Sequence, residues 1–296
     1  MTLAPRPFGS TGLFVSPLGL GAGHLGDTNL SEREVGTFLN CALDSGICLI
    51  DTARGYGRSE ERIGRSIGHR RNEFVLSTKV GYGIPGHQDW TYECVKAGVE
   101  EALRNLRTDC IDIVHLHSCP VETLQNGGPL QALHEAVNEG KVRVAAYSGE
   151  NEPLEWVIQH GHVASVQHSV NICDQRCIDG SLSRETDMGL GVIAKRPLAN
   201  APWRYEECPK GEYVEEYWWR WKTMKIDRRS CDWDELALRF AAFTPGVSSC
   251  IVGTKSPEHL VRNLAAIQKG PLPGDLYQSI RNAFRQNDPG WWRGQL

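Results

Sequence analysis

Asp51 and Tyr56 in CLIDTARGY, Lys79 closing FVLSTK, His117 closing DIVHLH and Gln167 in VASVQH are the groups best able to do chemistry together. Each ends or follows an apolar run of strand character. One strand ending in a polar side chain is ordinary, but four in succession predict a ring of parallel strands whose carboxyl ends converge on a site. The chemistry such groups offer is proton transfer. A phenol with a pKa of about 10 holds its proton too tightly for efficient acid catalysis near neutrality. A neighbouring ammonium favours the phenolate and makes the phenol a better donor. Asp51 could hold Lys79 in place and keep it charged, and a neutral His117 could donate to an oxygen on which negative charge develops.

The elements that must position these groups alternate along the chain. After a Gly-Ser-Thr-Gly turn, VSPLGLG predicts a first strand, and Ser31 with Glu34 forms a capping box opening a helix. Strand Cys48 to Asp51 precedes helix Ser59 to His69, strand Phe74 to Lys79 precedes helix Tyr92 to Leu106, and strand Ile111 to His117 precedes helix Leu130 to Glu139. Strands Val142 to Ser148, Val163 to His168, Val192 to Ala194 and Cys250 to Val252 follow, with helices Pro153 to His160, Ser181 to Met188, Asp234 to Phe243 and Pro257 to Gln268. Continuously apolar strands alternating with helices predict an α/β fold with a parallel sheet. Eight such units favour a closed (β/α)8 TIM barrel, with residues 1–296 as one domain.

Two segments break the rhythm. The insertion 197–233, after the seventh strand, carries Trp203, Trp218, Trp219 and Trp221, and is expected either to wall a substrate pocket or to add a helix packed on the barrel. The terminal DPGWWRGQL is expected to fold back, because Trp291 and Trp292 would otherwise leave apolar surface in water.

Composition narrows the function class. A formal net charge of −4 provides no basic footprint for nucleic acid or an anionic membrane. No apolar run approaches the roughly 20 residues of a membrane span, and the opening MTLAPRPFGSTG lacks the apolar core of a secretory signal, so a cytoplasmic location is expected. The ten cysteines are scattered through predicted strands and helices, which reads as buried thiols rather than disulfides. Cys173 and Cys177 lack zinc-like spacing, so no metal is expected. An exposed barrel helix and an interface helix share one composition, so oligomeric state has no signature here.

In GICLIDTARGYGRSEERIG, Asp51 and Tyr56 lie five positions apart, Lys79 ends the next strand and His117 the one beyond, and the order continues through VQHSVN to IVGTKSPEHLVRN. Across almost the whole chain the sequence resembles the aldo-keto reductases, of the bacterial type with a short C-terminal tail. An Asp-x4-Tyr alone would be weak evidence; the ordered quartet on successive strands is specific. The resemblance implies a nicotinamide-dependent oxidoreductase that reduces an aldehyde or ketone, with Tyr56 as proton donor and Asp51, Lys79 and His117 around it. A sugar-derived carbonyl compound is a suitable substrate, since sugars stack on aromatics. His115 lies on the same strand face as His117 and is expected in the layer beneath it.

The same resemblance implies a cofactor site. Gly21 and Ala22 are expected as backbone lining near the nicotinamide, and Ser148 and Gln167 as partners of its carboxamide, with Asn151 as a possible further contact. Gly253, Thr254, Lys255, His259 and Asn263 match an adenosine-phosphate segment at a helix start. Lys255 is the expected partner of a ribose 2'-phosphate, which makes NADP(H) the preferred cofactor. His259 stands where many relatives carry an arginine, and a neutral histidine cannot replace a guanidinium, so NAD(H) stays open. Lys195 occupies a place where relatives put an aromatic; a cation there is expected to reach a phosphate or form a salt bridge. The run Gly21-Ala22-Gly23-His24-Leu25-Gly26 fits a dinucleotide fingerprint, but its helix starts too late to meet a pyrophosphate.

Two other readings compete. One is a nicotinamide-binding sensor or regulatory subunit with little turnover. The other is a barrel lyase with Lys79 as a Schiff-base nucleophile, which an adjacent Asp51 would oppose by keeping the lysine protonated.

Overall fold

Eight strands, buried on both faces for most of their length, close into a parallel barrel in the computed structural model, which describes residues 3–295. A hairpin of β1 (Arg6–Pro7) and β2 (Phe14–Val15) comes first. The barrel strands are β3 (Leu18–Gly21), β4 (Leu49–Asp51), β5 (Val75–Val80), β6 (Ile111–His117), β7 (Val142–Ser148), β8 (Ser165–Ser169), β9 (Gly191–Lys195) and β10 (Ser249–Gly253). The pairing of β10 with β3 closes the ring and excludes an open, doubly wound sheet.

Side chains along a strand alternate between faces, so one parity fills the barrel. On β4 that parity runs Leu49, Asp51; on β5 Val75, Ser77, Lys79; on β6 Ile113, His115, His117; on β7 Val144, Ala146, Ser148. The lower members form an apolar floor with Phe8, Leu13, Val15 and Ile193, while the upper members are the polar candidates. The hairpin segment therefore plugs the amino end of the barrel with Phe8, which is fully buried, and leaves the carboxyl end for chemistry. Register aligns Gly253, Gly21, Asp51 and Ser77 across neighbouring strands, and His117, Ser148 and Gln167 on the opposite side.

The capping box holds as expected: Glu34 N–H donates to Ser31 Oγ at 3.2 Å and Ser31 N–H to Glu34 Oε2 at 2.8 Å, opening helix Glu32–Asp44. The opening hairpin and a final helix were not expected, whereas a helix in the insertion was one of the two expected outcomes. The hairpin strands are too short for periodicity to reveal. Helix Gly274–Asn287 follows the last barrel unit, and Glu215–Met224 lies inside the insertion. Together these two helices build a second apolar cluster of Tyr217, Met224, Phe240, Ile280, Phe284 and Trp292 against helix Trp233–Phe243. The aromatic insertion thus does pack on the barrel as a helix, and its earlier stretch lines the cleft described below. The tail folds back: Trp292 is buried against Phe284 at 5.4 Å, whereas Trp291 stays 62 % exposed. All ten cysteines are free thiols, buried or half-buried. No helix among the described residues is long and apolar enough to cross a membrane.

Candidate active site

Tyr56 sits in a tight turn just past β4, where its N–H donates to the Ala53 carbonyl at 3.0 Å and its own carbonyl accepts from Ser59 N–H at 3.1 Å. The loop after β3 presses on this turn. A Cβ added at Gly26 would lie 1.8 Å from the Tyr56 carbonyl oxygen, so only glycine permits the contact. The Tyr56 backbone is therefore held from both sides.

Asp51 and Lys79 meet in the barrel with almost no solvent exposure, 1 % and 2 %. The Lys79 ammonium donates to Asp51 Oδ2 at 2.6 Å and to the Thr52 carbonyl at 2.8 Å. Asp51 Oδ1 accepts from Ser77 Oγ at 2.8 Å and Gln167 Nε2 at 3.0 Å. Burial works against the charged amine, but attraction to Asp51 and then to Tyr56 outweighs it and holds Lys79 above the ordinary lysine pKa. Its Nζ lies 5.0 Å from the Tyr56 ring centroid. A permanent cation thus stands beside the phenol.

His117 approaches the Tyr56 ring edge-on, with centroids 6.3 Å apart. Burial, then the cations of Lys79 and Lys195, push its pKa down to about 3, so it is neutral at physiological pH. Its Nδ1 is 2.8 Å from the Tyr82 hydroxyl, and its carbonyl accepts from Trp90 Nε1 at 3.1 Å. His115 lies one layer below, fully buried, with Nε2 3.2 Å from Ser77 Oγ; burial pushes it down to about 4. That is its expected place.

A cleft of about 500 Å³ opens over Asp51 and Tyr56, lined also by Gly21, His24, Lys195 and Gly253 among others. A neighbouring cleft of about 530 Å³ is lined by Thr254, His259, Arg262 and Asn263 and by the stacked Trp203 and Trp233. The two share Leu198, Arg204, Val252 and Gly253, so they form one elongated groove leading away from Tyr56. Its volume and mixed lining fit an extended dinucleotide, with Gly253 where the two clefts meet and Arg262 and Lys269 in the farther one. His24, Leu198 and Arg204 line the groove without having been singled out in the sequence. Their loops carry no periodicity, and only the chain's return over the barrel brings them there.

The candidate cofactor residues divide into two sets. Gly21, Lys195, Gly253, Thr254, His259 and Asn263 line the groove. Ala22 is fully buried, its N–H donating to the Asp51 carbonyl at 2.7 Å and its carbonyl accepting from Ser59 Oγ at 2.9 Å. Ser148 Oγ donates to Gln167 Oε1 at 3.0 Å, so this pair and Asp51 form a closed network behind the cleft. Lys255 points outward to Asp27 at 3.2 Å and is 54 % exposed. Lys195 takes the salt-bridge option, 3.2 Å from Glu150. Asn151 clamps the tail instead of facing the cleft, exchanging hydrogen bonds with the Gly294 carbonyl at 3.0 Å and N–H at 3.1 Å. The GAGHLG run forms a short 3-10 turn, Gly23–Gly26, followed by the separate helix at Glu32, as its spacing predicted.

Comparison with known proteins gives concordant results. The sequence model of the Aldo/keto reductase family matches residues 17–284. The aldo-keto reductase AKR11C1 from Bacillus halodurans, in its holo form, superposes with a TM-score of 0.81 at 25% identity, covering 95% of this chain and 96% of that one. Among curated proteins, the uncharacterized oxidoreductase YqkF of Bacillus subtilis (strain 168) is 25% identical over 95% of this chain and 97% of its own length. L-galactose dehydrogenase of Arabidopsis thaliana is 26% identical over 88% of this chain and 87% of its own length.

Proposed function

Given that the chain belongs to the aldo/keto reductase family of oxidoreductases, we propose that it reduces an aldehyde or ketone to an alcohol, with a proton from Tyr56 and NADPH as the preferred reductant. The observation that carries this reading is the buried Lys79–Asp51 pair beside Tyr56, at the head of a groove shaped for a dinucleotide. When bound, the reduced nicotinamide supplies hydride to the carbonyl carbon.

The side chains supply everything else. Neutral His117 donates a hydrogen bond to the carbonyl oxygen and stabilises the charge that grows there. Tyr56 gives that oxygen its proton, and the Lys79 ammonium stabilises the phenolate left behind. Asp51 keeps Lys79 charged and fixed, and hydrogen bonds donated by Ser77 and Gln167 hold the Asp51 carboxylate in place in turn. A Schiff-base role for Lys79 is disfavoured by the same pair, because a lysine held above its usual pKa has no free lone pair for attack.

The glycine backbone of Gly21 and Gly253 forms the walls against which the dinucleotide lies, and Asn263 and Thr254 supply polar contacts at its adenosine end. Arg262, with Arg204 where the two clefts meet, brings positive charge to the groove and favours a 2'-phosphorylated nucleotide. Lys255, engaged with Asp27, serves this purpose only after leaving its partner. The likeness to L-galactose dehydrogenase favours a sugar-derived carbonyl substrate.

Calorimetric titration of nucleotide-free protein with NADPH and NADH, followed by a panel of aldehydes, ketones and sugar-derived carbonyls, tests the reading. Tighter binding of NADPH with turnover of at least one carbonyl class is expected. Binding of NADH alone would reverse the cofactor choice, and nucleotide binding without any turnover would favour a sensor over an enzyme.

A further inference from the structure

His117 has two ring nitrogens, and a neutral imidazole carries its proton on only one. Which one decides whether the ring can donate to a substrate oxygen. The hydrogen bond made by the other nitrogen sets the choice. That bond is formed by Tyr82, which stands three positions beyond Lys79, past Gly81, whose φ of +132° turns the chain. The Tyr82 hydroxyl is 2.8 Å from His117 Nδ1, and the rings are tilted by 32° with centroids 5.0 Å apart.

We propose that Tyr82 is a positioning residue that donates its phenolic hydrogen to Nδ1 of His117, fixing the imidazole in the tautomer protonated at Nε2, so that Nε2–H points to the oxygen of a bound carbonyl. The carbonyl rests on the reductase reading; the tautomer does not.

The direction of the bond follows from the groups present. The Tyr82 hydroxyl has no other hydrogen-bond partner among the described residues, so Nδ1 is the one protein acceptor they offer its hydrogen. A phenol is a stronger donor than a neutral imidazole N–H. Burial and the nearby Tyr56 raise the Tyr82 pKa, which keeps the hydrogen in place at neutral pH. His117 Nε2 makes no hydrogen bond to protein among the described residues, and the His117 and Tyr56 rings meet T-shaped with centroids 6.3 Å apart. Trp90 completes the cradle, packing edge-on against Tyr82 at 5.9 Å while its indole N–H donates to the His117 carbonyl. The opposite side of Tyr82 is set by Gly55: a Cβ there would stand 3.2 Å from the phenol oxygen, tighter than an ordinary contact.

The test is the 15N spectrum of the imidazoles in histidine-labelled full-length protein, with the His117 pair identified by its loss in His117→Gln. Wild type should show His117 with an unprotonated Nδ1 and a protonated Nε2. In Tyr82→Phe both nitrogens should move toward the averaged positions of exchanging tautomers. Gly55→Ala, which displaces the hydroxyl while keeping it, should move the same two resonances in the same direction and provides the answer if Tyr82→Phe folds poorly. Carbonyl turnover should then fall about three- to tenfold in kcat, the bias carried by one ordinary hydrogen bond, with nucleotide affinity unchanged. A wild-type spectrum with the proton on Nδ1, or resonances that stay fixed in both variants, overturns the proposal. Failure of the reductase reading would show separately, as a correct tautomer in a protein that reduces no carbonyl.

Discussion

Replacing Asp51 by Asn tests whether the pair at the centre of the barrel is a coupled unit. The substitution keeps the shape but turns the atom facing Lys79 Nζ, now 2.6 Å away, from an anion into a neutral amide. The amide can still accept from Ser77 and Gln167 through its oxygen, which leaves its N–H₂ facing the lysine donors. A lysine 2 % exposed would then keep only neutral partners, the Thr52 carbonyl and the Tyr56 phenol, among the described residues. Removing one partner of a buried ion pair costs about 3–5 kcal/mol. At roughly 2–3 °C per kcal/mol for a chain of this size, the midpoint of thermal unfolding should fall by about 6–15 °C. Lys79→Met alone strands Asp51 in the same way. The double variant removes both charges, and should therefore melt above at least one single variant, with a coupling of roughly 2 kcal/mol or more. Turnover should be lost in Lys79→Met and the double variant, which lack the cation beside Tyr56, and should fall in Asp51→Asn, where that cation loses the anion that holds it. Calorimetric unfolding of the four proteins under identical buffer gives the cycle. Losses that simply add, or an Asp51→Asn midpoint within about 2 °C of wild type, would falsify the claim that the two charges depend on one another.

Other outcomes follow from the same geometry. Gly26→Ala drives a methyl group into the Tyr56 carbonyl, and should cost about 2–4 kcal/mol in urea unfolding and depress kcat, because the turn that carries Tyr56 must shift. Acid stability has a definite sign. His115 and His117, held down to about 4 and about 3, stay neutral in the fold but are protonated in the unfolded chain below about 6.5, so each lowers stability as pH falls through that window, by up to about 1.4 kcal/mol per pH unit. Asp174, pushed up to about 7 by burial and then by the Glu150 carboxylate, binds its proton in the fold before the unfolded chain does and opposes one of them. Asp174→Asn should therefore lose about 2 kcal/mol more than wild type between pH 6.5 and 5.0, measured by urea unfolding at each pH; equal losses would contradict it.

The barrel and the quartet were legible because both are written locally. Strands buried on both faces show as apolar runs, and the polar residue ending each run marks the carboxyl end whatever the neighbouring strands are. Side-chain parity even placed His115 beneath His117. The groove was only half legible. Gly253, Thr254, His259 and Asn263 sit together on one strand–helix junction, so their spacing shows them. His24, Leu198 and Arg204 reach it from loops whose course depends on packing elsewhere, and Ala22, read as lining, spends both backbone groups on Asp51 and Ser59. Lys255 had the right charge for a phosphate, but Asp27, 228 positions away, claims it. Helix Gly274–Asn287 was not read although its apolar positions Leu276, Ile280 and Phe284 repeat at helical spacing; it follows the eighth strand–helix unit and belongs to none.

The most direct measurement is a single-turnover comparison of wild type and Tyr56→Phe: protein saturated with NADPH is mixed with the best carbonyl found in the panel, and loss of nicotinamide absorbance is followed. Proton donation by Tyr56 predicts a rate at least about a hundredfold lower in the variant, with NADPH affinity within twofold of wild type. A variant that reacts within about threefold of wild type would show that Tyr56 is not the proton donor.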